Sequence, residues 1–126
     1  MNALAQASVL RLIVAGTYTA TETGTGVDVS ALDGVAAAIL DSSLGTDTDP
    51  TLNVKLQDCA TVGGAYEDIP GATFVEVDDT AGGSTQIISF DVSAAKAFVL
   101  AVGTIGGTGS PSFDFSVTLI GMAKAA

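Results

Sequence analysis

Leu52-Asn53-Val54-Lys55-Leu56-Gln57 sets an aliphatic side chain at every second position and a polar one between each pair. Only an extended backbone gathers such residues on one face, because side chains alternate across a strand with period two. The rhythm recurs at Phe113-Asp114-Phe115-Ser116-Val117-Thr118-Leu119, whose odd-numbered positions point inward, and at Ile88-Ser89-Phe90-Asp91-Val92. Shorter alternations lie at residues 74–77 and 27–29. Phe98-Val99-Leu100-Ala101-Val102 is apolar on both faces, as a central or covered strand is.

Turn chemistry separates these runs. Gly24-Thr25-Gly26, Gly63-Gly64, Pro70-Gly71, Gly82-Gly83 and Gly106-Gly107-Thr108-Gly109-Ser110-Pro111 punctuate the chain at intervals of about ten to fifteen residues. No βαβ rhythm is present. The pattern predicts an all-β, single-domain antiparallel β-sandwich or jelly roll. Val35-Ala36-Ala37-Ala38-Ile39-Leu40 fits one or two helical turns, but Gly34, the following Asp41-Ser42-Ser43 and its shortness favour a buried strand. Val9-Leu10-Arg11-Leu12-Ile13-Val14 is apolar except for Arg11. Residues 1–24 are therefore an N-terminal strand or an arm packing on a neighbouring subunit, and residues 25–126 the β-sandwich domain.

With 126 residues the chain suits one domain. Hydrophobic residues make up 48% but aromatic ones 6%, with no Trp, so Val, Ile, Leu and Ala must fill the core. Mean hydropathy is +0.52. No unbroken apolar run is long enough to span a bilayer. The apolar surplus is expected in an internal core or in subunit contacts.

Four basic residues against fourteen acidic ones give a net charge of −10. That sign argues against nucleic acid and against an anionic membrane surface as partners, and an acid-rich exterior keeps a Gly-rich β protein soluble. The first 24 residues lack a Lys/Arg-led start, so no secretory signal is expected.

Reactive chemistry has few materials. Histidine is absent, which removes the usual triads and any Cys–His pair. The lone Cys59 reads as a small core residue and makes no internal disulfide. Lys96 follows Ser93 by three residues, a weak basis for a Ser–Lys pair. The carboxylate pairs Asp47/Asp49, Glu67/Asp68 and Asp78/Asp79 lie in turns and read as solvated acids. Asp47 and Asp49 alternate oxygen donors as a calcium loop does, without the later Glu of an EF-hand. Zinc lacks ligands, and neither glycine run has the spacing and lysine of a phosphate cradle. No catalytic, metal or cofactor residue is assigned, and no cofactor or enzyme activity is expected.

The succession Thr51-Leu52-Asn53-Val54-Lys55-Leu56-Gln57, Tyr66-Glu67-Asp68-Ile69-Pro70-Gly71-Ala72-Thr73-Phe74, Lys96-Ala97-Phe98-Val99-Leu100-Ala101-Val102 and Phe113-Asp114-Phe115-Ser116-Val117-Thr118-Leu119-Ile120-Gly121 resembles the capsid decoration, or cement, proteins of tailed bacteriophages. The resemblance covers roughly residues 25 to 122. It departs at Leu100, where the family often carries a basic residue. It implies a virion protein, made in the bacterial host cytoplasm, that binds the outer capsid surface. Its partners would be the major capsid protein and itself, as a homotrimer, with an N-terminal arm taking part. The expected contact residues are Val9, Leu10, Leu12, Ile13 and Val14, with Gly106, Gly107 and Ser110 in a second surface. Two other readings stay open: a neck, tail or spike-associated virion protein, and a carbohydrate- or cell-surface-binding module using Tyr18 and Tyr66.

Overall fold

A computed structural model describes residues 7–80, 83 and 85–124, so Gly82 of the expected Gly82-Gly83 turn lies outside the described residues. The strands in chain order are β1 (Ala7–Tyr18), β2 (Glu22–Thr23), β3 (Val27–Asp28), β4 (Leu32–Ser42), β5 (Thr46–Cys59), β6 (Glu67–Thr73), β7 (Thr85–Asp91) and β8 (Phe98–Ala123). One 3₁₀ turn, Val92–Ala94, interrupts them, capped by the Asp91 side chain, which accepts from the Ser93 N–H at 2.9 Å. The chain is a single-domain, all-β, antiparallel structure, as the alternation predicts.

All eight strands join one hydrogen-bonded sheet organised by β8. On one flank β8 pairs with β1 and then with β2 and β3, and on the other with β4 and then β5. The result is a three-layer-wide ribbon: residues 7–28, 98–123 and 32–59 side by side. It folds across its middle, where β1 passes to β2, β4 passes to β5, and β8 crosses its glycine run. The two halves then face each other around one core. The front half has strand order β7-β4-β8-β1, and the back half β6-β5-β8 with β2 and β3 beyond. At the open side Gln86 of β7 reaches the chain just past β6. Its amide oxygen accepts from Val75 N–H at 2.9 Å, and its amide nitrogen donates to the Val75 carbonyl at 3.0 Å. The fold is thereby nearly closed into a barrel-like shape.

Packing follows the period-two code. Phe113, Phe115, Val117 and Leu119 of β8 meet Leu52, Val54 and Leu56 of β5 and Ala36, Ala38 and Leu40 of β4 in a continuous buried cluster. Each large aliphatic side chain buried there contributes about 1.5–3 kcal/mol relative to exposure. The run at residues 35–40 is a strand, but one with a single buried face: Val35 on its other face is exposed. Cys59 is a buried free thiol, as expected of a small core residue.

The fold line explains the glycine run. Pairing of β5 with β8 slips between Thr46 and Thr48 and again between Thr48 and Thr51, so the ribbon bulges where it must turn. Gly107 and Gly109 take φ of 131° and 80° there. L side chains rarely adopt such values. Asp47, itself at φ 77°, accepts the Ser110 N–H on one carboxylate oxygen at 2.8 Å and the Thr48 N–H on the other at 2.9 Å.

Gly107→Ala should therefore destabilise by about 1–3 kcal/mol. Its backbone is strained, and the new Cβ would lie 2.7 Å from the Asp49 carbonyl oxygen. Gly63→Ala, with open space around it, should be near neutral. Urea unfolding of the two variants checks this, and equal midpoints would refute it.

Candidate assembly surface

The two outer faces of the folded ribbon differ in chemistry. On the back half, the outward side chains of β5 are Asn53, Lys55 and Gln57, each tied to an acid. Asn53 Nδ2 donates to Glu76 Oε2 at 2.9 Å, Gln57 Nε2 to Asp68 Oδ1 at 2.8 Å, and Lys55 Nζ pairs with Asp68 Oδ1 at 2.9 Å. The Gln57 hydrogen bond, then Lys55, holds the Asp68 carboxyl below the usual carboxylate range. Leu100, which points outward on this half, is buried although it stands between the core residues Val99 and Ala101, while Val75 just past β6 and Val62 between β5 and β6 stay exposed. The loop after Cys59 crosses that region. Its Tyr66 donates to the Val62 carbonyl at 2.9 Å, and its ring lies so close to Gly26 that a Cβ there would collide with the phenolic oxygen.

Among the described residues the front half has no such cover. Strand register lines up its outward residues in rows, since directly opposed residues share a face. Val9, Ile120, Ala37 and Ser89 form one row. Arg11, Thr118, Ile39 and Ile87 form the next. Val35 stands opposite Asp91 beyond the first row, and Asp41 lies between Ser116 and Thr85 beyond the second. Val9 is 65% exposed, Val35 69% and Ile87 66%. Isolated exposed aliphatics are ordinary, but a contiguous patch on one sheet face marks an interaction surface. Arg11 is its single cation. Asp41 also borders an open groove of about 600 Å³ at the fold line, where Thr17 Oγ1 donates to Asp114 Oδ1 at 2.5 Å and Ser43 N–H to the Asp114 carbonyl at 2.8 Å.

The expected contact residues divide. Val9 and Val14 are exposed and Leu10 is half-buried. Leu12 and Ile13 are 2% and 3% exposed and belong to the core, which removes them from a contact surface. The reason is a bulge: the pairing of β1 with β8 slips between Arg11 and Ile13, so two successive side chains turn inward and Val14 turns out. Gly106, Gly107 and Ser110 sit on the fold line, away from the apolar rows, with Gly107 and Ser110 exposed. Sequence reasoning missed Val35, Ile39, Ile87 and Ile120. Their signal was present as consecutive aliphatics, Ile87-Ile88 and Leu119-Ile120, which leave one of each pair outside.

Other candidates have their own partners. The Ser93 hydroxyl donates to Asp33 Oδ1 at 2.6 Å and accepts the Gly34 N–H at 2.7 Å, so its proton is committed to a carboxylate; the Lys96 N–H binds Asp58 Oδ2 at 3.0 Å. Asp78 accepts from Thr80 N–H at 2.7 Å and from its hydroxyl at 3.1 Å. Tyr18 donates to the Val14 carbonyl, and its ring centroid lies 5.0 Å from that of Phe115. Both tyrosines are thus engaged with their own chain. Among the described residues no group of three or more metal-ligating side chains occurs, and no helix is long and apolar enough to cross a membrane.

No protein-family description and no curated protein matches the sequence. Among solved structures the chain is similar to the crystal structure of the SPBc2 prophage-derived protein YomS, with TM-score 0.53, 14% identity and 93% of each chain covered. It is also similar, with TM-score 0.46 and 18% identity over 94% of this chain and 92% of the other, to a chain from Bacillus endospore appendages, described as a novel family of disulfide-linked pili. At such identities the likeness is one of fold.

The Ser93 hydroxyl and then the Gly34 N–H hold the Asp33 carboxyl below its ordinary range. The folded value is the lower one, so this link is fully formed above the ordinary carboxylate pKa and is lost as pH falls through the folded one. Ser93→Ala should raise the Asp33 titration midpoint towards the ordinary value, followed by carboxyl-carbon NMR. An unmoved midpoint would contradict the assignment.

Proposed function

We infer that this chain is a structural subunit of a bacteriophage particle that acts by protein–protein contact and performs no reaction. The observation that carries the reading is the aliphatic face on β1, β8, β4 and β7, left open by the described residues, in a chain whose outward β5 side chains on the opposite half are polar and paired. A strongly acidic protein that leaves this much apolar surface open has an assembly surface there. The fold likeness to a prophage-derived protein supports a phage origin.

Within that reading, the finer function is capsid decoration: binding the outer capsid surface and bridging major capsid protein subunits. The resemblance of residues 25–122 to cement proteins supports it, as does the exposure of Gly107 and Ser110 at the fold line. Many weak contacts repeated by capsid symmetry would give high avidity.

Undecorated capsids mixed with the purified chain should take it up in many copies per particle, visible by electron microscopy. Ile87→Glu, at an exposed position, should leave the unfolding midpoint within about 0.5 kcal/mol of the parent while reducing decoration at least about tenfold. Labelling confined to the tail would favour the neck or tail reading, and no binding to any particle would refute the proposal.

A further inference from the structure

We propose that the occupant of the front face is a second copy of this chain, seated face to face about a two-fold axis parallel to the strands. This deepens the assembly reading and rests on it: the front face pairs two copies, which leaves the fold-line turn at Gly107 and Ser110 for the capsid.

The front face is complementary to itself. Charge on the front face is polarised across the strands. The cation Arg11 stands on β1 at one side, while Asp41 on β4 and Asp91 on β7 stand towards the other. Between them lie Val9, Ile120, Ala37, Ile39 and Ile87, without a charge. A two-fold axis along the strands lays β1 of one copy over β7 of its partner and β8 over β4. Arg11 then stands above Ile87 of the second copy, one row and one strand from that copy's Asp41. Row and strand spacings of about 6.8 Å and 4.8 Å put the two about 8 Å apart in projection, within the reach of an arginine side chain across sheets packed about 10 Å apart. Symmetry forms the pair twice. An isologous contact requires that one patch carry both halves of each interaction, and this patch does.

Other occupants fit less well. The rest of the molecule is acidic overall; of its three lysines, Lys55 is paired with Asp68 and Lys124 stands near Asp33. Two copies bearing −10 each repel least where they meet through a face with one cation and few anions. Thr118 of one copy would lie over Ile39 of the other, so only a hydroxyl with rotational freedom meets the aliphatic centre. The flat footprint of four strands by seven residues is roughly 450 Å² per copy, below the about 800 Å² of a standard stable interface. The pair is therefore expected in the micromolar range, stable only when concentrated or held on a symmetric surface.

Sedimentation equilibrium of the full chain from about 1 to 200 μM should show a mass rising from 12.4 kDa towards twice that value. Arg11→Asp and Asp41→Arg alone should each weaken the association at least about tenfold, and the two together should restore it. Circular dichroism and the unfolding midpoint report whether each variant is folded. A monomer throughout this range, a limiting mass of three copies as the resemblance to cement proteins implies, or single variants that associate like the parent would each overturn the proposal. The same samples added to capsids separate the two readings. A chain that stays monomeric yet decorates particles defeats the pairing alone, and one that pairs but decorates nothing defeats the capsid reading alone.

Discussion

β8 is 26 residues long, several times the usual strand, and five other strands hydrogen-bond to it. A strand that long cannot remain flat and bury one face against a single neighbouring layer. It must bend, and the ribbon built on it must bend with it. Every other feature follows from that constraint. The glycine run at residues 106–109 supplies the positive φ values, Asp47 ties the turn, and the partner strands break or slip at the same level. Because both layers hang on the same strand, their registers are coupled: β8 fixes which residues of β1, β4 and β5 face in.

That coupling also separates the two outer faces. The back layer ends in a loop with enough length to fold over its own outward apolar residues, and its remaining outward positions are amides and a lysine matched to acids. Among the described residues the front layer receives no such loop. The aliphatic residues left there are a consequence of connectivity, and the assembly proposal rests on them. In the proposed pairing, the Arg11 guanidinium and the Asp41 carboxylate would act as register marks on a mostly uncharged surface.

Much of the core was legible in the chain. Leu52, Val54 and Leu56, and the odd residues from Phe113 to Leu119, are buried as their alternation requires, because a paired strand leaves no other arrangement for period two. The candidate surface was legible only in part. Val9 and Val14 are on the exterior, but Leu12 and Ile13 are inside, since one inserted residue in β1 reverses the parity that alternation assumes. Ile39 and Ile87 form a patch only because β4 and β7 pair in one register across more than forty residues of chain, and no local window contains that information.

The amino-acid order by itself determined the class of fold, the side of most strands that would be buried, the turn chemistry and the poverty of reactive groups. These are properties of neighbours along the chain, governed by backbone geometry and side-chain type. Tertiary structure alone decided that two layers share β8, that a bulge turns Ile13 inward, and that Val9, Ile120, Ala37, Ile39 and Ile87 meet on one uncovered face. The physical reason is that strand pairing is a long-range choice, set by how the whole apolar set can be enclosed at once.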